Sequence, residues 1–134
     1  MIEALIAYLK SQSAITAITN TIRSIPAPVD ISEYPLITYQ VSTVQRGYAL
    51  LGKYGEDSTR IILRCFGSKS PQSSSGSNPS YSTAKQLARA VIAACDGVQV
   101  PGQHMILEVL NESDDFDTNN LINICTVTLK VVTW

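Results

Sequence analysis

The C-terminal stretch Leu121-Ile-Asn-Ile-Cys-Thr-Val-Thr-Leu-Lys-Val-Val-Thr-Trp134 constrains the fold more than any other part of the chain. It is long, β-branched and free of Gly and Pro, which is the composition of a strand. Leu121, Cys125, Val127, Leu129 and Val131 fall on one side of the alternation and are apolar. Ile122, Ile124, Val132 and Trp134 share the other side with Thr126, Thr128 and Lys130, so one face is core and the other half apolar. At full extension these fourteen residues span about 46 Å, well beyond an ordinary strand, so the segment is expected to bend, bulge or reach past its own subunit. A single sheet with this strand inside it follows, carrying more apolar surface than one subunit hides.

With 134 residues the chain fits one domain, 1–134, large enough to bury a core without staples. Cys65, Cys95 and Cys125 lie far apart with no CxxC spacing and only His104 to assist them, which favours buried reduced thiols over a metal site. No cofactor or metal is expected. Met1-Ile-Glu-Ala opens directly into an amphipathic pattern, so no signal peptide is expected, and no apolar run reaches the length of a membrane span. The product is expected to stay in the cytosol. The net charge of −1 is unevenly spread: residues 1–107 hold nine Lys and Arg against six Asp and Glu, and residues 108–134 hold one against five. An acidic C-terminal pole argues against a nucleic-acid-binding domain built on a basic face.

Ile2, Leu5, Ile6 and Leu9 recur at helical spacing, which predicts a helix over residues 1–11. Ser13 is expected to cap a second short helix with the stripe Ile15, Ile18 and Ile22, dissolving at Arg23-Ser-Ile-Pro26. Pro26, Pro28 and Pro35 make residues 24–35 an extended connector. Residues 36–44 and 58–66 read as strands. Between them Tyr48, Leu50, Leu51 and Tyr54 form an unusually apolar loop. Either it folds back on the subunit, extends the strands into a long hairpin, or serves as a docking tip. Residues 68–80 are Ser-rich and read as a flexible loop. A helix over 81–96 presents Ala84, Leu87, Ala88, Val91 and Cys95 on one face and is closed by Gly97, with Lys85, Gln86 and Arg89 on the solvated side. A third strand is expected over 105–110, then an acidic turn over 111–120, then the closing strand. The expected class is α+β: an N-terminal helical pair and a four-stranded, mainly antiparallel sheet with one long helix packed on it, in the order ααββαββ.

Residues that could carry chemistry are few. Asp115-x-Asp117-x-Asn119 begins like a calcium loop, but Asn120 and Thr126 stand where such a loop needs Gly and Glu. His104 has no Ser or Cys partner at motif spacing, and no Gly-rich phosphate loop follows a strand. No catalytic residue is assigned and the chain is not expected to be an enzyme. A ligand pocket around Tyr39, Arg64 and His104 is the rival reading, that of a small cytosolic enzyme or ligand-binding domain.

The Pro-rich connector running into Tyr34-Pro-Leu-Ile-Thr-Tyr39, the strand ending Arg64-Cys-Phe-Gly67, the Ala-rich helix, the Asp-containing turn and the Val- and Thr-rich final strand occur in an order that resembles the tail-completion or tail-terminator proteins of long-tailed bacteriophages and prophages. The Ser-rich loop is longer than the connection that family would have there. The resemblance implies a virion structural protein: a hexameric ring at the head-proximal end of the tail tube, in the neck. The ring would end tube polymerisation and join the tail to the head connector. Its partners would be further copies of itself, the tail tube protein and the head–tail connector protein, with DNA passing through the channel without specific binding, no membrane contact, and assembly in the host cytoplasm. A head-closure or minor tail role is the alternative within the same class. Tyr48, Leu50, Leu51, Tyr54 and Trp134 are the candidate assembly residues, and the acidic turn with Glu112, Asp114, Asp115 and Asp117 is a candidate channel lining.

Overall fold

The closing strand lies in the interior of a single sheet, as its two apolar sides require. The computed structural model describes residues 2–19, 21–24, 35–49, 52–67, 79–117 and 122–133, with the backbone alone for 43–49, 52–57, 79–80 and 117. In chain order the elements are α1 (Ile2–Lys10), α2 (Ser13–Thr16), β1 (Ile22–Ser24), β2 (Leu36–Ala49), β3 (Gly52–Phe66), α3 (Pro79–Cys95), β4 (Val98–Gln99), β5 (Met105–Asp117) and β6 (Ile122–Thr133). The sheet has six strands in the order β1-β2-β3-β6-β5-β4, all antiparallel except the β1–β2 pair.

This corrects the expected four strands and the order ααββαββ. The added strands are the two short edges. Ile22 continues a helical stripe in sequence, but α2 ends at Thr16 and residues 22–24 pair in parallel with 37–39. Ser13 is not the cap of α2 but its first residue; Gln12 is the capping position and makes no side-chain bond there. Thr19 instead donates its hydroxyl to the Pro35 carbonyl at 2.7 Å and accepts from the Thr21 amide, tying the N-terminal segment to the start of β2.

All three helices pack on one face of the sheet. Ile37, Ile61, Leu63, Cys65, Cys125, Val127, Leu129, Val131, Met105 and Leu107 point to that face and meet Leu5 and Leu9 of α1, Ile15 of α2 and the predicted stripe Ala84, Leu87, Ala88, Val91 and Cys95 of α3. Burying a side chain such as Leu87 contributes about 1.5–3 kcal/mol, and the alanines beside it let the helix backbone approach the sheet closely. Tyr8 donates its hydroxyl to the Ala94 carbonyl at 2.5 Å and so links α1 to α3. Gly97, at a φ of 68°, adopts the left-handed conformation that ends α3 and turns the chain into β4. The thiols Cys65, Cys95 and Cys125 are buried and unbridged, with Cys65 directly opposite Cys125 across β3 and β6.

β6 runs without a register break. The irregularities fall on its neighbour β5, between Val109 and Asn111, and farther out in the β2–β3 pairing, between Val41 and Thr43 and between Arg46 and Tyr48. The apolar loop of the sequence resolves into the long-hairpin alternative, since β2 and β3 stay paired out to Ala49 and Gly52. The acidic turn is corrected to a strand, because residues 111–117 continue β5 and pair with 122–128 of β6.

Candidate assembly surfaces and the Lys85 cluster

The break at Leu110 determines where the acidic residues point. Before it, Met105 and Leu107 face the helices; after it, Glu112 and Asp114 stand opposite Val127 and Cys125 and face the same way. One extra residue shifts the period-2 alternation by one, as a β-bulge does. Asp115 lies opposite Ile124 and points to the other face with Glu108, which lies opposite Lys130.

Lys85 of α3 reaches across to the two inward-facing acids. Its Nζ lies 2.7 Å from Asp114 and 3.0 Å from Glu112. Hydrogen bonds to Asp114 and then Glu112 raise the ammonium pKa above its usual value, and Lys85 in turn holds both carboxylates below theirs. The Cys125 thiol donates to Glu112 at 3.3 Å. Burial first, and this bond second, push Cys125 up to about 12, while burial puts Cys95 at about 12 and raises Cys65 further. Glu112, Asp114 and Cys125 form the one group of metal-ligating atoms among the described residues. Its centre is served by the Lys85 ammonium, which meets both carboxylates. The cluster works as a clamp between α3 and β5. The helical spacing predicts a solvated position for Lys85; the i, i+2 spacing of Glu112 and Asp114 on a strand is the only trace of their contact in the sequence.

The remaining candidate residues separate into two ends of the sheet. Tyr48 and Tyr54 lie in β2 and β3 where the hairpin leaves the sheet, beyond Asp57, the last β3 residue paired with β6. Leu50, Leu51 and Trp134 lie outside the described residues. At the opposite end, Asp117 pairs with Ile122 in the β5–β6 hairpin, and Phe116 is exposed beside it. Asp115 and Asp117 sit on extended backbone, which does not wrap an ion as a calcium loop does; Asn119 lies outside the described residues.

The residues of the rival pocket are not brought together. Tyr39 packs against the core on the helix-covered face, Arg64 projects from the other face and donates to Gln40 at 3.3 Å, and His104 is exposed in the turn before β5. Two shallow grooves flank α1. One of about 320 Å³ lies between Ala4, Tyr8 and Gln12 and the turn at Val100 and Gln103. The other, about 310 Å³, lies between Ile2, Ile6 and Tyr39. Among the described residues no helix is long and apolar enough to cross a membrane.

No protein-family model and no curated protein matches the chain. Its fold matches that of a chain in a solved structure described as the virion of a native gene transfer agent particle. The TM-score is 0.73 at 12% identity, over 98% of this chain and 92% of that one. The likeness is one of fold, it runs through nearly the whole of both chains, and its counterpart is a component of an assembled particle.

Proposed function

We propose that this chain is a virion structural protein that forms a ring, a hexamer of identical copies, at the head-proximal end of a phage tail tube. The ring ends tube polymerisation and joins the tail to the head connector in the neck of the virion, after assembly in the host cytoplasm. The observation that carries this reading is the overlap of almost the entire fold with a virion chain. A sheet whose ends project as two hairpins with different chemistry supports it, because a ring subunit must meet one partner above and another below. Its role is architectural rather than catalytic, and it uses no cofactor.

Contacts around such a ring are heterologous: one side of each copy meets the opposite side of the next until the rotation closes. DNA passes through without specific binding, and an acidic rim built from the β5 stretch repels phosphate and so does not retain the duplex. Lys85 neutralises part of that charge at Glu112 and Asp114, and Lys130 stands opposite Glu108, leaving Asp115 on the uncovered face to carry it. The test is polymerisation of the phage's tail tube protein with and without this chain. Growth stops at one end, with rings visible there by electron microscopy, if the reading holds; tubes that elongate unchanged with bare ends overturn it.

A further inference from the structure

Among the described residues, the two short edge strands cover only a small part of the long strands beside them. β1 pairs with residues 37–39 of β2, and β4 with residues 106 and 107 of β5. Among the described residues, 41–49 of β2 and 108–117 of β5 have a strand partner on one side only. Such stretches present rows of amide and carbonyl groups and template pairing with another chain. Exposed apolar side chains collect on the same two stretches: Val41 at 42%, Leu110 at 41% and Phe116 at 42% exposure, three of the five large apolar side chains exposed among the described residues. Neither stretch contains Pro or Lys, the residues that usually blunt an edge.

Charge then decides which edge can meet which. Residues 108–117 hold Glu108, Glu112, Asp114, Asp115 and Asp117 and no base, whereas residues 41–49 hold Arg46 and no acid. Two β5 edges side by side would set like charges opposite one another, which is destabilising, while β5 against β2 does not. Since β2 and β5 run in opposite directions within the sheet, a neighbour in the same orientation brings its β2 antiparallel to β5. The two free halves lie toward opposite ends of the sheet. Pairing them therefore displaces the neighbour along the strand direction by roughly 20 Å, which inclines the strands to the ring axis as in any sheet that closes on itself.

We propose that residues 108–117 of β5 pair antiparallel with residues 41–49 of β2 of a second copy of this chain, so that the sheet continues from copy to copy. The inference rests on the ring reading and adds the surface, the direction and the selection rule for its subunit contact. The test combines sedimentation velocity at low and high salt with hydrogen exchange of the assembled protein. Slowed exchange is expected at amides of both 41–49 and 108–117 on assembly. Glu108→Lys combined with Asp115→Lys, neither of which touches Lys85, should weaken self-association by ~10-fold or more. Mixing that variant with Arg46→Glu should restore mixed assemblies. Stronger self-association of the double variant, or assemblies in which both stretches exchange as in the monomer, overturns this contact and leaves the ring standing on another surface. A chain that stays monomeric both alone and with tail tubes overturns the contact and the ring together.

Discussion

The β2–β3 and β5–β6 hairpins leave the sheet at opposite ends and differ in composition. At one end Tyr48↔Lys53 and Ala49↔Gly52 continue past Asp57, where β6 stops; at the other Phe116↔Asn123 and Asp117↔Ile122 continue past Phe66, where β3 stops. Among the described residues the second is fastened from the side, by Lys85 bridging α3 to Glu112 and Asp114 just before the projection begins. The first contains Tyr48, Leu50, Leu51 and Tyr54; the second contains three aspartates and a lone Phe116. Projection at both ends with such different composition teaches that length alone does not assign a role. An apolar sequence at a projecting tip is suited to a partner, whereas a charged hairpin clamped to a helix is held at a set position.

The comparison breaks most visibly by removing the apolar tip. Replacing residues 48–54 by an Asn-Gly turn should abolish ring assembly or docking to tail tubes and leave the unfolding midpoint almost unchanged, measured by electron microscopy and calorimetry on the same preparation. If the domain unfolds instead, the tip is core and the contrast is lost. The next largest effect is at the buried thiols. Cys125→Ala and Cys65→Ala should each lower stability by about 1–2 kcal/mol in urea titrations through the cavity they leave, without bound zinc in either the parent or the variants.

The clamp gives a smaller effect with a pH signature. Lys85→Met leaves Glu112 and Asp114 facing each other uncompensated and should cost about 1 kcal/mol near neutral pH, since both carboxylates are partly open to water. The carboxylates are lowered in the folded chain, so their stabilisation is present above their ordinary range and disappears as pH falls through the lowered values. The ammonium is raised, so its stabilisation is present below the usual lysine value and disappears as pH rises through the raised one. Denaturant midpoints of parent and variant should therefore differ across the neutral range and converge at both extremes. Smallest of all, Phe116→Ser at the exposed end of β5 should change stability by no more than ~0.5 kcal/mol and be detectable only in assembly.

Much of the fold was legible because the signals were local and periodic. The stripe Ala84, Leu87, Ala88, Val91 and Cys95 repeats every three or four residues and is buried as that repeat requires. β6 declared itself by composition. The acidic half of β5 did not, for two reasons: Asn, Asp and Ser are turn-formers, and the irregularity at Leu110 breaks the alternation at the point where they begin. β1 and β4 are too short to carry a pattern. The far part of the β2–β3 hairpin is hidden by the register shift between Arg46 and Tyr48, where Gly47 alone on β2 faces residues 54–56 of β3 and the strand alternation is lost. The meeting of Lys85 with residues 27 and 29 positions later depends on α3 lying across β5, which no local window contains.

The irregularity at Leu110 also makes the orientation of the acidic run depend on a residue count rather than on residue type. Deleting one residue there would leave every aspartate and glutamate in the chain, yet Ser113 and Asp115 would turn toward the helices, and Glu112 and Asp114 would turn away from Lys85. Substitutions along β5 adjust its charge by degrees; an insertion or deletion at this one point exchanges its two faces in a single step. Related chains can therefore diverge widely in residue identity along this strand and keep its inner and outer sides, provided that its length between Met105 and Glu112 is preserved.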